Sequence, residues 1–297
     1  VQLLETLGYR EDGHSFRHPN RQVVFCGDFV DRGPQIADSI SIARNMVKQD
    51  AAYAVMGNHE FNAIAFHTRI DGDDEAWYRP HTDRNLRLHQ ATTDQLSNTE
   101  LAKALEWFRE LPIALDLGSL RVVHACWDPD GIDALNVALD TGNRFSAAFL
   151  EQAVNESTPM GLAVERVLKG PEVALPDDLT VSDKEGHVRR RVRIRWFESP
   201  ETHTLGSYAF PPVKRLMDVA IPESARPCPY PADAPPVFVG HYWLDSRHSP
   251  VLAPNVACLD LSVAKGGRLA AYRFNGEATL SPDSLVSVPA RNSVPSE

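Results

Sequence analysis

At 297 residues with a formal net charge of −10, 43% apolar and 24% charged residues, the chain has an ordinary globular composition and enough length for a large core. The acidic balance argues against a general nucleic-acid-binding surface, and no apolar run reaches the ~18 residues of a membrane span. The start, Val1-Gln2-Leu3-Leu4-Glu5, lacks the basic and apolar regions of a signal peptide. The four cysteines (Cys26, Cys126, Cys228, Cys258) form no C-x-x-C pair, so buried free thiols in a reducing cytoplasm are expected.

Residues 1–9 read as the end of an amphipathic helix, with Val1, Leu4 and Leu7 apolar and Gly8 as a stop. A strand over 21–26 is followed by a helix over 36–49, with Ile36, Ile40, Ala43 and Val47 at helical spacing after Pro34. A second buried strand covers 52–56, and 60–110 reads as mainly helical, its last helix stopped by Pro112. A third buried strand covers 120–124. The stretch 132–230 has its own character and holds many of the 22 prolines. Within it, 188–196 alternates, with Val192, Ile194 and Trp196 opposite Arg191, Arg193 and Arg195. Asp183-Lys184-Glu185-Gly186 supplies a turn before it, so a hairpin is expected. A fourth buried strand covers 236–240. Residues 256–261 and 268–274 read as a final hairpin across Lys265-Gly266-Gly267, and the tail from Ser281 reads as polar and loosely held.

The four buried runs end in Gly27-Asp28, Gly57-Asn58-His59, His124-Ala125 and Gly240-His241. Ligands bind at the carboxyl ends of strands in α/β cores, so these strings can converge although they lie far apart in the chain. Carboxylate, amide oxygen and imidazole together suit Mn, Fe or Zn, and glycine lets backbones approach closely. Taken singly, Asp28 reads as a turn or cap residue and His124 as a satisfied core histidine; the surrounding strings turn both toward metal ligation.

The strings Gly27-Asp28-Phe29-Val30-Asp31-Arg32-Gly33, Gly57-Asn58-His59-Glu60, Val123-His124-Ala125 and Val239-Gly240-His241 resemble the calcineurin-like metallophosphoesterases. Within that superfamily the look is of the branch holding the PPP-type Ser/Thr phosphatases and the bacterial symmetrical diadenosine tetraphosphatases. The final hairpin, with Asp260 and Gly266-Gly267-Arg268-Leu269, is similar to that branch too. The resemblance implies a four-layer α/β/β/α sandwich of two mixed sheets. It would form a single domain over 1–280, with cap insertions at about 60–110 and 132–230 and a tail over 281–297.

The same resemblance implies roles. Asp28 would bridge two divalent metal ions, with Asn58, His124 and His241 completing the second ion's shell. Manganese is the first expectation, with Fe, Zn, Ni or Co as alternatives. Arg32 would hold phosphate oxygens, with Asn58 and His59 also facing substrate. His59 would serve as general acid, oriented by Asp31, while a water bridging the metals attacks phosphorus in line. The implied substrate is a phosphorylated small molecule or nucleotide ester such as a dinucleoside polyphosphate. The alternatives are a Ser/Thr phosphoprotein, an RNA-end phosphate, or a non-catalytic phosphate-binding relative.

One departure stands out. The family's Asp-x-His motif, on a strand before the first helix, is absent from a buried strand upstream of Asp28; Asp12-Gly13-His14 has the letters but lies in a polar turn. The first metal's ligands are therefore missing from this sequence, and the expectation is a chain that begins inside the helix after the motif. A natural variant with a weakened first site is the alternative.

The remaining polar groups take blander readings. Glu60 is expected to cap or pair structurally. His67, His81, His89, His187, His203 and His248 are expected on the surface or in packing. The Arg191/Arg193/Arg195 face is expected to pair with acidic neighbours, with a phosphate-binding rim as the sharper alternative. Arg79, Arg84 and Arg87 invite the same alternative, and Trp127 either stacks a base or closes the core.

Overall fold

A computed structural model of the chain describes residues 1–73, 75–139, 144–176, 179–182, 188–223, 229–245 and 248–291. It opens with the short helix α1 (Gln2–Thr6) and a hairpin of an exposed strand, β1 (Arg10–Asp12), and a strand that buries Phe16, β2 (Ser15–Arg17). A βαβ unit follows as predicted: β3 (Val23–Phe25), α2 (Ile36–Lys48) and β4 (Ala52–Ala54), the strands parallel. Ile36, Ile40 and Ala43 are buried, and Met46 completes that stripe where Val47 was expected.

The segment read as helical holds α3 (Asn58–Phe66), α4 (Asp83–Gln95) and α5 (Asn98–Glu110). The Thr82 and Ser97 hydroxyls accept backbone N–H bonds at the starts of α4 and α5, and α5 stops just short of Pro112. Next come β5 (Ala114–Asp116), β6 (Arg121–Val123) and the helices α6 (Pro129–Leu139), α7 (Ala147–Ala153) and α8 (Pro159–Lys169). The insertion continues with β7 (Glu172–Ala174), β8 (Val181–Ser182), β9 (Val188–Arg189), β10 (Arg191–Arg193) and α9 (Leu205–Tyr208). The chain returns through β11 (Val237–Val239), β12 (Val251–Ala253) and β13 (Val256–Cys258). It then forms β14 (Asp260–Leu261), β15 (Arg268–Tyr272) and β16 (Leu285–Pro289).

The central sheet runs β12-β13-β11-β6-β5, with β11 parallel to both β13 and β6 and the outer pairs antiparallel. Both faces are buried, so its strands read as continuous apolar runs. Val122, Phe238 and Ala257 face one core with Tyr272 and Phe274. Val123, Val237, Val239, Val256 and Cys258 face the other, with α6 and α8 among the helices covering them. Beyond the first core lie the β3–β4 pair and the antiparallel β14-β15-β16 sheet. Helices α1 and α2 close the far side through Leu4, Met46 and Ala52. The mixed α/β layering expected from the sequence is therefore present, with the second sheet divided between a parallel pair and an antiparallel triplet.

Four local expectations are corrected. The tail is not loose as far as Pro289, because β16 pairs along all of β15 and buries Val288. The run 256–261 is two strands: β13 sits in the central sheet, and only β14 forms the hairpin with β15. The alternating run 188–196 is also divided: β9 pairs antiparallel with β8, as the expected hairpin requires, while β10 pairs with β7. The turn at 183–187 lies outside the described residues. The stretch 132–230 is not one cap. Its helices α6 and α8 join the main core, as do Trp196, Phe197 and Phe210, whereas Val192, Ile194, Leu205 and Tyr208 belong to a separate small core. Among the described residues no helix is long and apolar enough to cross a membrane.

Candidate active site

The ends of β3, β4, β6 and β11 bring Asp28, Asn58, His124 and His241 together. The backbone pays for this in left-handed conformations at Asp28 (φ 64°) and His241 (φ 69°), strain of the kind that collects at functional sites. Two glycines are required by space. A Cβ on Gly27 would lie 2.6 Å from the Gly57 nitrogen, and one on Gly57 would lie 2.3 Å from Asp28 Oδ1. Gly240 differs, since a Cβ there would make only an ordinary 3.6 Å contact with Cys26.

His124 Nδ1 donates to the Cys26 carbonyl at 2.6 Å, which leaves Nε2 to face Asn58 Oδ1 at 3.0 Å and Asp28 Oδ1 at 3.3 Å. His241 Nδ1 lies 2.8 Å from the same Asn58 oxygen, and His241 Nε2 is buried without a partner among the described residues. Ligand atoms of Asp28, His124 and His241 all lie within 4.8 Å of one another. With Nδ1 held by the carbonyl, His124 thus turns Nε2 toward two oxygen acceptors. The O,O,N,N donor set fits a divalent metal of the Mn–Zn range.

The electrostatics agree. Burial pushes Asp28 up, but the facing imidazoles of His124 and His59 outweigh it and hold the carboxyl well below the usual range. Burial lowers His124, yet the Asp28 carboxylate raises its pKa overall. Burial holds His241 well below the imidazole range, helped by the positive charge of Arg193.

Beside this corner, His59 Nδ1 donates to Asp31 Oδ2 at 2.7 Å. Burial depresses His59, but Asp28 and Asp31 together push its pKa up to about 9. Asp31 is left-handed (φ 70°) and its pKa is lowered despite burial, by hydrogen bonds from His59 and His89. Glu60 is fully buried; its carboxylate accepts from the backbone N–H groups of Asp28 (2.8 Å), Phe29 (2.7 Å) and Gly57 (3.0 Å). It ties the two strings together, the structural role expected of it, and burial with the Asp28 charge raises its pKa to about 7.

Arg32 is exposed, its guanidinium stacked 4.5 Å from the Trp243 ring centre, with Lys265 also over that ring at 4.6 Å. Asp260, in the final hairpin, accepts from the Trp243 and Ser262 backbone N–H groups and so fixes this corner. Tyr242 links site and insertion: its hydroxyl donates to the Ala125 carbonyl and accepts from Trp196 Nε1.

Several residues were not singled out from sequence. Helix α4 presents His89, Thr92 and Gln95 at i, i+3 and i+6 to the loop after Asp28. The Thr92 hydroxyl accepts from the Asp31 N–H, Gln95 Oε1 accepts from the Ile36 N–H, and Gln95 Nε2 donates to the Gly33 carbonyl. That spacing on one helix face was the available signal. His89 was expected in a surface or packing role; it is buried and donates to Asp31 at 2.5 Å. Arg193, expected in the arginine face, also lies close enough to act electrostatically on His241.

Arg191 and Arg193 lie 3.5 and 3.9 Å from Glu172, and Arg195 lies 2.9 Å from Glu198, so the arginine run does pair with acidic neighbours. Asp12-Gly13-His14 is exposed on the β1–β2 turn, away from the ligand cluster. Trp127 packs on the core under Arg121, and His81 stacks on Phe66. Arg84, Arg87 and His248 are exposed, and Arg79 binds Asn85. His187 and Cys228 lie outside the described residues.

The chain belongs to the calcineurin-like phosphoesterases, whose family model matches residues 2–149. Its relatives in that class include nucleotide-directed enzymes. It is 27% identical over 267 residues to the symmetrical bis(5'-nucleosyl)-tetraphosphatase of Janthinobacterium sp. (strain Marseille), covering 88% of this chain and 85% of that one. It is 28% identical over 125 residues to the asymmetrical bis(5'-nucleosyl)-tetraphosphatase PrpE of Oceanobacillus iheyensis, covering 42% of this chain and 48% of that relative. The chain thus spans about half the length of this PrpE relative, and about a quarter of others of its kind. A solved cold-active protein-tyrosine phosphatase of a psychrophilic Shewanella species aligns over 91% of this chain and 70% of its own, at 16% identity and a TM-score of 0.45.

Proposed function

We propose that the chain is a divalent-metal-dependent hydrolase of phosphoester or phosphoanhydride bonds, with a dinucleoside polyphosphate as its substrate class. The observation that carries this reading is the convergence of Asp28 Oδ1, Asn58 Oδ1, His124 Nε2 and His241 Nδ1 on one point. Family membership supplies the reaction class. The relative matched over 85% of its own length supplies the substrate class.

Asp28, Asn58, His124 and His241 would hold the metal. When bound, divalent ions supply neutralising charge to phosphoryl oxygens and make a water acidic enough to attack at neutral pH. Arg32 binds the phosphate's remaining oxygens, its plane set by Trp243. Arg193 adds positive charge on the His241 side. Against the effect of burial, the Asp28 and Asp31 carboxylates raise the His59 pKa to about 9, which favours the protonated ring. Asp31 holds its Nδ1–H, so the Nε2 proton is the one passed to the leaving oxygen. A reducing cytoplasm suits the buried free thiols of Cys126 and Cys258.

The test is hydrolysis of diadenosine tetraphosphate by metal-free protein before and after addition of Mn, with nucleotides separated by anion exchange. Metal-dependent release of ADP alone supports symmetrical cleavage; ATP with AMP would redirect the reading to asymmetrical cleavage. Metal binding without hydrolysis of any phosphoester would overturn the enzyme reading in favour of a phosphate-binding relative.

A further inference from the structure

The hydrogen-bond chain behind His59 does not stop at Asp31. Asp31, with a side chain only 7% exposed, receives His59 Nδ1 on one oxygen; on the other it receives His89 Nδ1 at 2.5 Å and the Thr92 hydroxyl at 2.9 Å. An ionised carboxylate only accepts, so both facing ring nitrogens carry hydrogen. The far side of His89 is also engaged, its Nε2 lying 2.9 Å from His67 Nε2, so a single hydrogen is shared between the two rings. His67 follows the end of α3, and Phe66 packs against both rings, 5.1 Å from His67 and 4.9 Å from His89. Burial and neighbouring imidazoles lower the His67 pKa to about 4, so this ring stays neutral and adds no charge. The three imidazoles, Phe66 and the carboxylate thus bridge α3, the Asp31 loop and α4, and among the described residues His89 and His67 make no hydrogen bond or ring contact with the metal-ligand candidates or Arg32.

We infer that His89, backed by His67, is a positioning residue for His59: it pins the second oxygen of Asp31 so that His59 meets the leaving-group oxygen in one orientation. The inference rests on the reading of His59 as the leaving-group acid. Thr92 alone would still tether Asp31, but one hydroxyl leaves the carboxylate free to rotate about the bond that His89 now fixes. A fixed acid matters most when the leaving group is a poor one, since an acidic leaving group departs without a proton. His89 therefore governs the dependence of turnover on leaving group rather than turnover as a whole.

The experiment compares His89→Phe, His89→Asn and the unaltered protein, all Mn-loaded, on p-nitrophenyl phosphate, phenyl phosphate and an alkyl phosphate. For His89→Phe, kcat on p-nitrophenyl phosphate is expected to fall less than about threefold, and on the alkyl ester to fall into the ~10²-fold range of losing a general acid. KM should hold throughout. His89→Asn, which retains an N–H where Nδ1 stood, should restore most of the loss, and His67→Phe should show a smaller loss of the same shape. A second readout uses the metal-free protein: the Nδ1–H proton of His59 should be observable by NMR in the unaltered chain and in His89→Asn, and lost to exchange in His89→Phe. An equal loss on every ester, or a His59 proton unchanged in His89→Phe, would overturn the inference. Should the unaltered protein hydrolyse none of the esters with Mn bound, the hydrolase reading fails, and the NMR result alone decides the positioning role.

Discussion

The site has two corners built by different means. The ligand corner is assembled by backbone: four strand ends, two glycines without room for a Cβ, and left-handed residues at Asp28 and His241 aim Asp28, Asn58, His124 and His241 at one point. The acid corner is assembled by side chains: His59, Asp31, His89, Thr92 and His67 hold one another across α3, a loop and α4. Backbone constraints narrow the choice of residue to glycine and a few partners, so they leave dense strings in the sequence. A side-chain network leaves only polar residues three apart on a helix, a pattern that resembles a solvated face.

Breaking one corner at a time sharpens this division. The largest effect should come from His59→Asn, which removes the proposed acid and should lower kcat by about 10²–10⁴-fold on an alkyl phosphate while Mn affinity, read by calorimetry, stays unchanged. Loss of metal in that variant would show that the corners are one unit and that His59 was assigned wrongly. Gly57→Ala attacks the other corner. Its Cβ would sit 2.3 Å from Asp28 Oδ1, so a guanidinium titration should show a loss of about 1–3 kcal/mol, as overpacking costs, together with weaker Mn binding. Unaltered Mn binding would mean that the ligand corner yields easily and that glycine is not what holds it. The smallest effect belongs to Arg191→Ala, outside both corners. Its pairing with Glu172 at 3.5 Å is exposed, so stability should change by less than about 1 kcal/mol and kcat not at all. A clear rise in KM there would instead favour the phosphate-rim reading of the arginine face.

The same contrast explains what was legible in the sequence. The buried strands ending at His124 and His241 could be read because a sheet buried on both faces forces apolar runs, and the βαβ unit because its apolar runs ended in marked strings. The strand Leu285–Pro289 was missed because its partly covered edge tolerates Ser287 and a final proline among valines. The run 256–261 looked continuous although the chain changes sheets after Cys258, since apolar character does not report which sheet a residue joins. His89 was passed over for the same reason as Thr92 and Gln95: only the folded loop after Asp28 gives their polar groups something to bind.

The most direct test of the central claim, that the strand-end cluster is a metal centre driving phosphoester hydrolysis, is Asp28→Asn. Mn binding by calorimetry and p-nitrophenyl phosphate turnover are measured together on the altered and unaltered protein, with circular dichroism to confirm folding. The expected result is a folded protein with weakened Mn binding and turnover at background. A folded Asp28→Asn protein with full turnover would contradict the account.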